Sequence, residues 1–594
     1  MIRVVLWIVV MLLSACSGGG GGTNSPVEPP GGGTPPLTTS PPAAGGTADA
    51  IFATRSGTAQ FLSRATFGPT PADLNMLTGT GASTWFVDQL SQPTSTVLPQ
   101  VMRYLDEDTA FSFAEFPADT TTFAYWRNVL TGPDQLRQRV AYALSQILVV
   151  SNGGGEFLTD VPTAVAYYMD VLSSGALGNY RDLLEQVTYT PAMGHYLTYQ
   201  GNQKGDPVTG RVPDENYARE ILQLFTIGTV MLNPDGTPSL DASGGAIETY
   251  SNADVTGLAK VFTGLNFSEE DTESASLYEV TARPMQIFEE DHSALEKTFL
   301  GSTIAANTPT ASSISQALDI IFAHPNVAPF IGRQLIQRLV TSHPDPEYID
   351  RVSAAFESGR YTLPDGTLVG DGRRGDLAAT VAAVLFDPLA LSTDSTDTFG
   401  KIREPVLRFS NWVRAFDVAQ IDAEYVLALW DTTDALGQHP YRARSVFNFY
   451  RPGYIAPGTS TGALGLTIPE LQIVNAASIP AYVDFMTYII SRDPQEEVEE
   501  LVAEFSEIGL NIDTVNALNS FVPNYQRELS LADKPEQLLD LLDEKLTYGR
   551  LSDTTRANIV EVLNGMPVDD EGLIDRVHFA ILMVVTSIDF LLQQ

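Results

Sequence analysis

Apolar residues recur three and four positions apart along most of the chain, the spacing of helices that bury one side. The pattern predicts helices over 58–66, 71–76, 83–90, 133–150, 160–172 and 179–187. It predicts more over 251–264, 313–322, 326–340, 347–358, 376–386 and 405–416, again near 469, and almost continuously over 497–592. Strict alternation is confined to short runs. Asn233-Pro234-Asp235-Gly236-Thr237 and Leu363-Pro364-Asp365-Gly366-Thr367 are turn signatures and predict two small hairpins. The segment 277–301 predicts further short strands, and 446–454 an aromatic loop. Ser251 with Asp254 three residues later predicts a capping box. The apolar run from Ile574 to Leu592 carries Asp575, Arg576, His578 and Asp589, so it predicts a core helix rather than a membrane span. The fold class is mainly α: a large multi-helical body with a few short β-hairpins.

One stretch combines a complete helix pattern with candidate chemistry. From Pro213 to Gly228, Asp214 is placed to cap the first turn, Glu215 suits the positive end of the helix dipole, and Gly228 is placed to end the helix in a left-handed conformation. At about 100° per residue, Tyr217, Ala218, Ile221, Leu222, Leu224 and Phe225 share one side. Glu215, Asn216, Arg219, Glu220 and Gln223 share the other, with Glu215 and Arg219 spaced i,i+4. An ordinary amphipathic helix with a wet face has this pattern. So does a helix whose polar face lines a site, where an arginine between two carboxylates and an amide would bind an anionic or hydroxyl-rich ligand, or lock neighbouring loops.

The amino terminus changes the picture of where this body works. Arg3 precedes about ten apolar residues, Val4 to Leu13, the length of a signal-peptide core. Leu13-Ser14-Ala15-Cys16 follows and resembles the lipobox of bacterial lipoproteins. That resemblance implies cleavage after residue 15, a diacylglycerol thioether and an acylated amino group on Cys16, and a palmitate-bearing anchor stable in a membrane. Ser17 rather than Asp after the cysteine implies sorting to the outer membrane. Residues 16–48, rich in Gly, Pro, Ser and Thr, predict a disordered tether, and 49–594 the folded body.

The charge balance narrows the partners. With 72 acidic against 34 basic residues, the net charge is −38, which argues against nucleic acid and against electrostatic adhesion to anionic lipid. Weak attraction of divalent cations is compatible with it, but no bound cofactor is expected. Cys16 is the only cysteine among 594 residues, so the body has no disulfide and no cysteine nucleophile.

Several motifs bear on catalysis. Gly458-Thr459-Ser460-Thr461-Gly462 fits the nucleophile-elbow spacing, but its proline- and glycine-rich flanks predict a loop where the mechanism needs a strand and a helix. The six histidines are scattered singly and no His-Glu-x-x-His occurs, so zinc is not expected. Asp365, Asp371 and Asp376 surround a glycine-rich turn and read as solvated turn residues. Asp291-His292, with Lys297 nearby, would form an acid/base group if the carboxylate orients the imidazole, or else an ordinary surface loop.

Taken together, Arg64 to Thr70, Pro213 to Gly228, Ala253-Asp254-Val255 with Phe262-Thr263-Gly264, Asp291-His292 with Lys297 to Gly301, His324-Pro325-Asn326, and Lys401-Ile402-Arg403-Glu404-Pro405 resemble the bacterial family called domain of unknown function 1800. The likeness runs from about Phe61 onward and implies a large, exported, mostly helical protein. Such proteins are frequently encoded beside exported proteins related to sulfatases and alkaline phosphatases, which implies a partner of that kind but no activity. Many relatives carry Trp-His-Asn-His-Phe in the helix that here reads Ala141 to Val150. No histidine stands there in this chain, so any role built on those histidines is absent from it.

Two function classes follow. The first is a noncatalytic binding or assembly protein of the cell envelope. The second is a hydrolase-like enzyme on an envelope polymer or polysaccharide, with Asp291, His292, Glu215 and Glu220 as acid/base candidates and Asn216, Arg219 and Lys297 as ligand-binding ones.

Overall fold

Helices pack on helices throughout the body, and every sheet among the described residues is a two-stranded antiparallel ribbon. The computed structural model describes residues 52–105, 117–153, 155–267, 276–392, 398–416, 436–492 and 523–594. The expected signal peptide, Cys16 and the tether lie outside them, as does part of the long helical run expected after 497. The described residues form one compact unit. None of the described helices is long and apolar enough to cross a membrane.

The core forms where the helical stripes meet. The Pro162–Gly175 helix packs on Gln135–Ser145, and Val327–Leu339 packs on Pro346–Ser358, which in turn packs on Leu377–Leu385. Trp126, Trp412, Tyr142, Tyr168 and Tyr217 are among the largest fully buried side chains. The Ser251–Asp254 capping box is present at the start of the Asn252–Ala259 helix. That helix lies on the hairpin Lys297–Phe299/Ser302–Ile304. Its contact face carries Gly257, where a side chain would run into the Thr298 carbonyl. Both turn signatures lie in ribbons: Tyr361–Thr362 pairs with Leu368–Val369, and bridges at Leu232↔Pro238 and Val230↔Glu248 form the other.

Three elements depart from the sequence pattern. The helix expected over 133–150 stops at Ser145, because the Gln146 and Leu148 carbonyls accept from Arg338 Nη2 and the Tyr168 hydroxyl instead of from the next turn. Leu277–Thr281 is a short helix rather than a strand, capped by the Ser276 hydroxyl. The 574–592 run is the end of the Asp570–Val585 helix, a break, and a short turn Ile588–Leu591. After that turn, Leu592–Gln593 pairs with Lys401–Ile402, and Gln593 Nε2 donates to the Leu339 carbonyl across 254 residues.

Candidate functional site

The stretch 213–228 is not a single α-helix. A short α-helix, Asn216–Glu220, runs into a π-helical turn, Ile221–Thr226. Asp214 does not cap it as expected: its carboxylate accepts from Asn216 N at 2.8 Å in a turn before the helix, and its own N–H is held by Asn202 Oδ1. Glu215 takes the capping position, but its side chain accepts no N–H of the first turn. At the far end, the Thr226 hydroxyl donates back to the Ile221 carbonyl, five residues earlier. Gly228 is left-handed at φ +69°, and the Ile227 and Gly228 N–H groups both donate to the Leu222 carbonyl. The i→i+5 bonding changes the register after Glu220. Leu224 is therefore only half-buried, whereas Tyr217, Ile221, Leu222 and Phe225 are fully buried as expected.

The polar side divides into two parts. The outer part is an open lattice. Arg219 Nη2 lies 3.2 Å from Glu215 Oε2 and 3.3 Å from Asn252 Oδ1, and the Thr256 hydroxyl donates to Glu215 Oε1 at 2.8 Å. Arg219 and Glu215 side chains are 39% and 35% exposed. A pair in that much water contributes less than about 1 kcal/mol. Arg219→Ala is therefore expected to leave the unfolding midpoint in urea nearly unchanged. A large drop in midpoint would make the lattice architectural.

The inner part is Glu220. It is 8% exposed, and its Oε2 has no hydrogen-bond partner. Burial raises its pKa, against the pull of Arg219. Tyr196 and Tyr250, both half-buried, lie close enough to feel its charge. Burial with that charge pushes the Tyr196 phenol up to about 12. The Tyr250 hydroxyl donates to Gln223 Oε1 at 3.2 Å, and Asn216 Nδ2 reaches the Thr198 hydroxyl at 3.4 Å. Beside Tyr196, His195 stacks on Phe157 with centroids 4.2 Å apart.

The second expected group is laid out differently. His292 is buried. Its Nδ1 lies 2.9 Å from the Thr263 carbonyl and its Nε2 3.0 Å from the Ser313 hydroxyl. The Asp291 carboxylate is not among these partners, so it does not orient the ring. Burial lowers the pKa of His292 and favours the neutral form. Lys297, fully buried, donates to the Ser293 and Leu295 carbonyls at 2.8 and 3.2 Å. Gly264, at φ +84°, allows the close approach of the Phe288 and His292 backbone. The two groups do not meet. Arg219 bonds Asn252 at one end of the Asn252–Ala259 helix, whereas His292 bonds Thr263 beyond the other.

A third cluster has no local sequence pattern. Lys401 Nζ lies 3.4 Å from Glu404 Oε1 and 3.5 Å from Glu470 Oε1, with all three side chains 0–2% exposed. Glu404 Oε2 accepts from Gln146 Nε2 at 2.6 Å, Gln438 Nε2 at 2.7 Å and the Tyr142 hydroxyl at 3.0 Å. Burial alone would raise the Glu404 pKa, but Lys401, Arg139 and these donors outweigh it and hold it at about 2. Arg139 Nη2 and Lys401 Nζ both donate to the Arg338 carbonyl. This network joins segments far apart in the chain. Its only advance signal is the Lys401-Ile402-Arg403-Glu404-Pro405 motif, to which the sequence assigns no role.

The remaining candidates are not sites as placed. Thr459 caps a four-residue helical turn, and no strand leads into Ser460. Asp376 caps the Leu377–Leu385 helix, Asp371 pairs with Arg373, and Asp365 Oδ1 accepts from Thr367 N. Among the described residues no group of three or more His, Cys, Asp or Glu side chains is placed to hold a metal ion. An open depression of about 450 Å³ lies between Leu300, Asp319 and His324.

Residues 60–592 match the family described as "Protein of unknown function (DUF1800)". The chain belongs to this family. No curated protein and no solved structure matches it. The stretches that carry the DUF1800 likeness have physical roles in the fold. In Arg64 to Thr70, Gly68 lies against Asn411, its carbonyl accepts from Arg414 Nε at 2.6 Å, and Thr70 forms a capping box with Asp73. In His324-Pro325-Asn326, Asn326 donates to the Ile227 and Val230 carbonyls and accepts from Leu232 N, fixing the chain after the π turn. Within the 401–405 motif, Arg403 donates to the Phe590 carbonyl and Pro405 opens the Pro405–Ala415 helix.

Proposed function

We propose that this DUF1800 protein is a lipid-anchored component of the outer membrane that binds and assembles rather than turns over its ligand. It works with an exported protein of the sulfatase/phosphatase-like kind, and nucleic acid is not a partner. The observation that carries this reading is the separation of the expected acid/base residues. The His292 nitrogens and the Lys297 ammonium are committed to backbone and hydroxyl partners. Glu215, Arg219 and Asn216 form a partly exposed face elsewhere. A partly exposed lattice of donors and acceptors suits recognition. The lipobox resemblance supports the anchor, and the net charge of −38 supports a soluble mass held off an anionic surface.

The raised pKa of Glu220 favours a second reading, a hydrolase on envelope polysaccharide, because burial moves this carboxyl in the direction that a general acid requires.

Membrane fractionation tests the first reading. Wild-type protein is expected to incorporate labelled palmitate, to sediment with outer membranes, and to bring an exported partner with it after mild detergent extraction. Cys16→Ser is expected to lose label and sedimentation together. An unlabelled wild-type protein in the cytosol would overturn the proposal.

A further inference from the structure

The depression of about 450 Å³ beside the Thr310–Phe322 helix has walls of two kinds. Leu300, Ile320 and Ala323 are apolar, and Ser302, Asp319 and His324 are polar. Two elements build it. The helix buries Ile314, Ala317, Leu318 and Ile321, which turns Asp319 and Ile320 outward and leaves Ala323 exposed at its end. The hairpin Lys297–Phe299/Ser302–Ile304 supplies the other wall, and its second strand packs on that helix. Leu300 at φ +46° and Gly301 at φ +69° are the two left-handed residues of its tight turn.

The polar groups are anchored on one side and open on the other. Asp319 Oδ1 accepts from Arg181 Nε at 2.8 Å, and its side chain is 65% exposed. Among the described residues no second donor reaches that carboxylate. His324 Nδ1 accepts from Asn326 N at 3.2 Å, so the neutral ring carries its proton on Nε2 as a donor. Burial, then the Arg374 charge, lower the pKa of the ring and favour that neutral form. Ser302 adds a half-buried hydroxyl. The charges beside the depression do not cancel. Arg181 is shared between Asp319 and Glu185. Arg374 pairs with Glu357 and donates to the Phe322 and His324 carbonyls. One carboxylate of this group is left without a cation of its own.

An open depression suits a side chain that a second surface presents, because small-molecule sites enclose about 70–90% of their ligand. Lysine and arginine match the walls. Each has an apolar stem to lie on Leu300 and Ile320, and a head that only donates, as Asp319 requires. An aliphatic neighbour would lie against Ala323, and the His324 Nε2–H would donate to a main-chain carbonyl of the same segment. A net charge of −38 draws a basic surface and repels an acidic one. The depression is also tied to the open lattice. Leu300 N donates to Asp254 Oδ1 at 2.7 Å, on the helix that carries Asn252 and Thr256. From these walls we infer that the depression between the Thr310–Phe322 helix and the Leu300–Gly301 turn is the docking site of a partner protein, which lays a basic side chain and an aliphatic neighbour against Asp319, Ile320 and Leu300. The inference rests on the binding reading above and gives the partner its place.

The test uses the full-length protein in its own membranes. Photoreactive benzoylphenylalanine replaces Ser302 on the rim or, as a control, the exposed Val568. After irradiation and mild extraction, the adducts are mapped by mass spectrometry. The probe at 302 is expected to capture an exported protein through a segment that carries Lys or Arg beside Leu, Ile or Val, and the probe at 568 is not. Ala323→Trp, which fills the depression from an exposed position, is expected to lower that adduct tenfold or more at an unchanged urea midpoint. Asp319→Asn keeps an acceptor for Arg181 and is expected to lower it several-fold, whereas Asp319→Glu keeps most of it. An adduct undiminished in Ala323→Trp and Asp319→Asn, a captured segment without a basic residue, or capture of lipid or glycan instead overturns the inference. If the exported partner co-purifies while the probe at 302 captures nothing, the docking site is refuted and the binding reading stands. If no partner co-purifies with the wild-type protein, the binding reading falls as well.

Discussion

Glu404→Gln is expected to destabilise the protein by about 3–5 kcal/mol, the range for removing one partner of a buried ion pair. The change is nearly isosteric, so lost packing contributes little. The effect comes from charge. Without the carboxylate, the Lys401 ammonium keeps only Glu470 at 3.5 Å and one backbone carbonyl at 2.9 Å. Arg139, whose Nε and Nη1 already lack partners, loses its nearest anion. The three donors from Gln146, Gln438 and Tyr142 already share Oε2 and keep an oxygen, but the new amide nitrogen in the place of Oε1 would turn its N–H groups toward the Lys401 ammonium. Urea unfolding followed by tryptophan fluorescence reads the loss as a lower midpoint. Lys401→Met in the Glu404→Gln background is expected to recover part of it, since removing both charges is milder than stranding one. An unshifted midpoint in the single variant would show that the network contributes no net stability.

Acidification is expected to withdraw the stabilising contribution of one buried histidine, opposed in part by Asp170, whose carboxyl pKa burial raises from 3.8 to about 6. His439 is buried, with its Nδ1 2.8 Å from the Pro440 carbonyl and its Nε2 3.1 Å from the Thr122 hydroxyl. Burial, and then the Arg442 charge, lower its pKa from 6.5 to about 3. The folded state therefore binds this proton less readily than the unfolded chain. Its stabilising contribution is fully present above pH 6.5 and is lost as pH falls toward 3. At about 1.4 kcal/mol per pH unit, this residue alone removes about 2 kcal/mol by pH 5. The other five histidines are also shifted down, each with burial as the largest cause, and they steepen the same decline. Glu404 acts later. With its folded pKa lowered from 4.5 to about 2, its contribution is held above pH 4.5 and lost between there and pH 2. Urea midpoints measured from pH 8 to 4 should fall below pH 6.5, and His439→Gln should flatten that part of the curve. Identical profiles for wild type and His439→Gln down to pH 5 would contradict the neutral, buried state of His439.

Elements with local chemistry were legible in the amino-acid order. The Ser251–Asp254 box forms because both partners of the cap lie within one turn. The 363–367 turn closes because Asp365 and Gly366 supply its bonds and its left-handed residue, with Leu363 N donating to the Thr367 carbonyl. Helix ends decided by distant side chains were not legible. Nothing near Ser145 announces that Arg338 and Tyr168 will take the following carbonyls. The same limit applies to the site. The open Glu215–Arg219 pair follows from i,i+4 spacing, but Glu220 is buried at the start of a π turn that the helical spacing does not announce. The Asp291-His292 neighbours suggested a dyad by adjacency alone, whereas the ring bonds Thr263 and Ser313, 29 and 21 residues away.

The pairing of Leu592–Gln593 with Lys401–Ile402 bears on how such a chain matures. The charged interior built on Lys401 is closed on one side by residues that leave the ribosome after all of the helices described here, and Ser56 is held by the Tyr548 carbonyl across 492 residues. Nascent chain cannot complete this body piecemeal, because its first described segments await its last for their partners. A polypeptide built this way leaves its early helices waiting for late partners, so packing of this interior follows, rather than accompanies, the emergence of residues 592–593.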